Sequence, residues 1–142
     1  MSDCFIHVQH THRLAGRKRI SLDDLRGETL LVNTPHLLDQ LDLPFWNSVK
    51  SHPGITIEPL SFQGAQHADT MVLSTNRVYL CWGPMSSLHP NLRQIRLEGS
   101  TFEYMMLCSK EAYRKNENLR TYLAYLGRYY QEHWYKVYDA LS

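Results

Sequence analysis

Residues 29–33 read Thr-Leu-Leu-Val-Asn (TLLVN). Three apolar residues in a row leave neither face of a strand polar. A strand at the edge of a sheet, or one with a wet face, alternates apolar and polar residues; a strand covered on both faces does not. TLLVN therefore predicts a central strand of a parallel sheet with helices above and below. With the alternation of strands and helices around it, this strand argues for an α/β sheet layered by helices.

The flanking segments agree with it. Upstream, Ser21 stands three residues before Asp24, close to a capping box with Asp in the place of Glu, and SLDDLRG predicts a short helix ending at Gly27. Downstream, Pro35 suits the first turn of a helix. Residues 36–51 place Leu37, Leu38, Leu41, Phe45 and Val49 at helical spacing, with a break expected at Pro44. ITIEPLSF (55–62) predicts the next strand, QGAQHADTMVLSTN (63–76) a helix with Ala65, Ala68, Met71, Val72 and Leu73 inward, and RVYLCW (77–82) another strand. LRQIRL (92–97) alternates as a half-exposed strand, and TFEYMMLC (101–108) predicts a further one. From about Asn116 to Ser142 a long helix carries Leu119, Leu123, Leu126, Tyr130, Trp134, Val137 and Leu141 on one stripe and Tyr122, Tyr125 and Tyr129 on a second ridge.

Composition narrows the function. The 142 residues are 43% hydrophobic and carry a net charge of +1, which suits a globular domain and lacks the basic excess of a nucleic-acid binder. No apolar run is long enough to span a membrane. Three cysteines (Cys4, Cys81, Cys108), widely spaced, predict reduced thiols in a cytoplasmic protein.

The N-terminal strand CFIHVQH (4–10) leads into a histidine-rich and basic stretch, HVQHTHRLAGRK (7–18), with the segment from Arg13 to Arg19 expected as a loop. Zinc needs three or four converging ligands. On a strand His10 and His12 share a face and His7 takes the other, so an ion would need a further ligand such as His36, His67, Cys81 or Cys108. Solvated or hydrogen-bonded loop histidines are the expectation, and no metal is assigned. Catalysis finds no foothold either: GxSxG and the phosphate-binding glycine motifs are missing, and Cys81 and Cys108 sit in strands that read as buried. The pairs Asp23/Asp24 and Asp39/Asp42 read as helix-dipole partners and a solvated face. No enzyme and no cofactor are expected.

HTHRLAGRKRISLDDLRGETLLV (10–32) resembles the middle of the effector-binding domain of LysR-type transcriptional regulators. His12, Leu14, Ala15, Ile20, Leu22, Leu25, Gly27 and Leu31 match that family's "HPLA" turn and the "isl.dL.geplI" that follows, with Arg13 in place of the customary proline. In order, residues 45–51 with ITIEPLSF, then 63–76, RVYLCWGP, TFEYMMLCSKE and NENLRTYLAYLGRYY resemble later elements of the same domain. The resemblance implies a periplasmic-binding-protein-like sheet layered by helices. It assigns 19–100 to a complete second subdomain and 1–18 with 101–142 to crossover strands and the terminal helix of a partial first subdomain. The family's winged helix is not among the matched segments, so no direct DNA binding by this chain is expected.

By position, the resemblance and the rule that ligands sit beyond the carboxyl ends of strands in open α/β sheets put an effector at Asn33 and Thr34, at Ser61, Phe62, Gln63 and Gly64, and at Trp82 and Gly83. Backbone amides there suit a small, anionic metabolite. Family effectors bind between two subdomains, one of which is incomplete here. The alternative is an interaction protein that dimerises, or joins a full-length regulator, through the aromatic C-terminal helix.

Overall fold

A computed structural model of the chain describes residues 3–33, 35–40, 42–60, 67–83, 85, 88–101 and 110–141. It divides into two compact units, Met1–Glu103 and Tyr104–Ser142.

The first unit is built on one six-stranded sheet. Its strands are β1 (Phe5–Gln9), β2 (Arg19–Ile20), β3 (Thr29–Asn33), β4 (Thr56–Leu60), β5 (Val78–Cys81) and β6 (Leu92–Leu97), in the order β2-β6-β1-β5-β3-β4. β3 runs parallel to both β4 and β5, and β2 parallel to β6. β1 is antiparallel to β5 on one side and β6 on the other, so five strands point one way and β1 alone opposes them. The sheet is mixed, with TLLVN inside it as predicted: Leu30, Leu31 and Val32 are fully buried.

Alternation along β3 supplies both cores. Leu30 and Val32 join Ile6, Val8, Val78, Leu80, Ile95 and Leu97 on one face, beneath helix α2 (Pro44–Ser51) with its Phe45, Trp46 and Val49. Leu31 points to the other face and meets Leu60, Leu92 and the Ala68 and Val72 of helix α3 (Ala68–Ser74). β1 turns a different kind of residue toward this second face. Gln9 donates its amide to the carbonyls of Val72, Leu73 and Thr75 at 2.6–2.9 Å, closing the C-terminal end of α3.

Helix α1 (Pro35–Gln40) and α2 are separate, and the break at Pro44 is where the sequence put it. Asp42 between them takes φ 45°, and Pro44 starts α2 because a helix's first turn needs no N–H there. Residues 21–26 form a single 3-10 turn (Asp23–Leu25) in place of the expected α-helix. The Asp24 carboxylate reaches back to both the N–H and the hydroxyl of Ser21, which closes the turn locally and holds that carboxyl below its usual range. Gly27 then takes φ 87° and ends it. The expected loop from Arg13 to Arg19 ends instead in the strand β2. Residues 102–108 of the strand predicted at 101–108, and the inward Ala65, lie outside the described residues; Thr101 itself is in no strand.

The second unit holds helix α4 (Lys110–Lys115) and the long helix α5 (Glu117–Leu141). Asn116 separates them. Its side-chain oxygen accepts the Leu119 N–H at 3.0 Å, an N-cap that starts α5 where the sequence placed it. Arg120 donates to the carbonyls of Tyr113 and Arg114 and so caps α4. Tyr122, Tyr125 and Tyr129 are exposed, with the last two rings stacked at 6.2 Å. The stripe residues Tyr130, Trp134, Val137 and Leu141 lie outside the described side chains. No helix among the described residues is long and apolar enough to cross a membrane.

Candidate functional site

The parallel strands bring their carboxyl ends to one edge of the sheet. Asn33 closes β3, and its register partner on β4 is Leu60. On the other side Leu30 pairs with Val78 and Leu31 with Tyr79; β3 ends at Asn33 and β5 at Cys81, just before Trp82 and Gly83. β3 and β5 thus end at the same edge of the sheet, with Asn33 following Leu31 on the side of the second core and Trp82 packed against the first. Thr34, Ser61, Phe62, Gln63 and Gly64 lie outside the described residues.

The local geometry of the three is specific. Gly83 is buried and takes φ 115°, a backbone conformation that a Cβ would strain. Its carbonyl accepts the Cys81 thiol at 3.2 Å. Burial pushes that thiol up to about 11, with the Asp69 carboxylate adding to it, so Cys81 is a protonated donor and not a nucleophile. Trp82 packs half-buried against the first core. Asn33 is half-buried, and its Oδ1 is buried with no hydrogen-bond partner among the described residues. Helix α1 starts at Pro35 immediately beyond. That ring has no N–H, so this helix start offers fewer backbone donors to an anion than the sequence pattern suggested.

The histidines of the N-terminal stretch are structural, and two of them are not solvated. His7 is fully buried on β1. Its Nε2 lies 3.1 Å from Gln94 Oε1, an oxygen that also accepts the Met85 N–H. An acceptor already bonded to one N–H can take a second but cannot donate, so His7 carries its proton on Nε2 and leaves Nδ1 bare. Nδ1 finds no partner among the described residues. His12 is also buried: Nδ1 accepts the Leu14 N–H at 3.2 Å and Nε2 donates to Glu28 at 3.2 Å. Arg13 donates to the other Glu28 oxygen at 2.7 Å and to the carbonyls of Asp24 and Arg26. His10 is exposed. The three rings thus go three ways, and among the described residues no group of three His, Cys, Asp or Glu side chains can hold a metal ion.

Burial pushes the His7 imidazole below its ordinary value, outweighing the hydrogen bond to Gln94 and the more distant Asp69 carboxylate, which favour the charged ring. The unfolded chain takes up this proton near pH 6.5, before the folded chain does. Stability is therefore complete above that pH and declines as pH falls toward the depressed folded value. One such proton contributes a slope of at most about 1.4 kcal/mol per pH unit. Urea unfolding of the wild type and His7→Leu between pH 7.5 and 5 should show the wild type losing stability relative to the variant as the pH falls. Parallel curves would refute it.

A concavity lies on the α2 face, an open groove of about 540 Å³ lined by Leu22, Phe45, Ser48, Ser51, His52 and Glu98 among others. His52 Nε2 donates to Asp23 at 2.9 Å, and its Nδ1 accepts the Gly54 N–H at 3.2 Å. Both ring nitrogens are committed, so His52 has no free position with which to activate the nearby serines.

Sequence patterning did not single out Glu28, Gln9, Gln94 or Trp46. Each acts through a partner distant in the chain, and spacing along the chain carries no signal for such pairs.

No family model and no curated protein matches the chain. Solved structures do. The chain is similar to a Pseudomonas aeruginosa protein described as a LysR family transcriptional regulator, at 17% identity and a TM-score of 0.49 over 70% of this chain and 35% of that one. It is similar to the oxidized form of OxyR at 14% identity and a TM-score of 0.46, over 68% of this chain and 46% of that one. It is also similar to HinK, a LysR family transcriptional regulator from Pseudomonas aeruginosa, at 19% identity and a TM-score of 0.46, over 70% of this chain and 34% of that one. The chain spans between a third and a half of the length of these proteins.

Proposed function

We propose that this chain is an effector-sensing regulatory module of the LysR type, acting in the cytoplasm by binding a small, anionic metabolite and not by catalysis. Residues 19–100 would be its second subdomain, with 1–18 and 101–142 contributing the crossover strands and terminal helix of the first. The observation that carries this reading is that the parallel strands β3 and β5 are neighbours, with Asn33 ending the one and Trp82 and Gly83 following the other. Ligands of open α/β sheets bind there. The ordered match of residues 10–32 to the family's turn and strand pattern supports it. Thr34 and residues 61–64 (Ser61, Phe62, Gln63, Gly64) complete the proposed site.

The test is thermal and urea stability in the presence of a library of small carboxylates. A ligand at 100 times its Kd adds about 2.7 kcal/mol, and Asn33→Ala should remove most of that shift. If no carboxylate stabilises the protein, the sensing role is wrong.

A second reading, self-association through α5, is favoured by the exposure of Tyr122, Tyr125 and Tyr129 along one ridge. Aromatic side chains of this kind anchor interfaces. Light scattering should then give a dimer, and Tyr125→Glu a monomer; a monomeric wild type excludes it.

A further inference from the structure

We draw no further inference here: the strongest candidate, the open groove on the α2 face between Phe45, His52 and Glu98, carries nothing because neither of the buried unpartnered side-chain atoms found among the described residues lines it and nothing in the structure shows what would occupy it.

Discussion

Replacing Trp46 by alanine should destabilise the first unit by about 3–5 kcal/mol, the range for removing a large aromatic from a packed core. Trp46 is 1% exposed and is the largest fully buried side chain among the described residues. It sits on α2 between Phe45 and Val49, over the sheet face built from Ile6, Leu30, Val32 and Leu80. Its indole is also tied at the rim, donating to Asp39 at 2.8 Å. Asp39 accepts Lys50 at 2.7 Å as well, and these two donors hold its carboxyl below the ordinary range. One side chain therefore fills the core and ties α2 back to the end of α1. Trp46→Phe separates the two roles. It keeps most of the apolar volume and loses the N–H, and because Asp39 faces water its lost partner is replaced by solvent, so the cost should be about 1–2 kcal/mol. Urea midpoints at constant slope measure both. A loss under about 1.5 kcal/mol for Trp46→Ala would mean that α2 is not seated on the sheet as described.

How the sequence announces Trp46, or fails to, shows where pattern reasoning ends. TLLVN is legible because burial on both faces needs no knowledge of the partners. Pro44, Gly27 and Asn116 are legible because each acts through its own backbone or the next turn. Trp46 stands beside Phe45, and a stripe drawn at three- and four-residue steps passes it by; only the depth of the groove under α2 decides that both are covered. β2 has two residues, fewer than a period-2 pattern needs, and exists because β6 offers Arg96 and Leu97 as register partners. At the candidate site, strand order puts β3 beside β5, Leu31 against Tyr79, a pairing between distant segments that spacing cannot reveal. The site positions follow from family resemblance and the rule about strand ends, and the register of β3 against β5 establishes only that the two strands are parallel neighbours.

The basic stretch after β1 offers the other large effect. Arg13→Ala should cost about 3 kcal/mol, far above the 0–1 kcal/mol of an exposed ion pair. The reason is the partner and not Arg13 itself. Arg13 is half-exposed, but Glu28 is buried at the start of β3. Without the guanidinium, the Glu28 carboxylate keeps, among the described residues, only the N–H of His12 at 3.2 Å, and a buried charge left without its counter-ion is strongly destabilising. His12 cannot turn away to compensate, because its other nitrogen holds the Leu14 N–H. Arg13 additionally bonds the carbonyls of Asp24 and Arg26, so its loss releases the turn before β3 too. Glu28→Gln removes the buried charge while keeping its shape, and should cost less, about 1–2 kcal/mol. In the double variant the charge that Arg13 neutralises is gone, so the two losses should sum to more than the double variant loses, with a coupling of at least about 1 kcal/mol. Strict additivity would show that Arg13 and Glu28 act independently, and that the turn from β1 to β3 is held by its backbone alone.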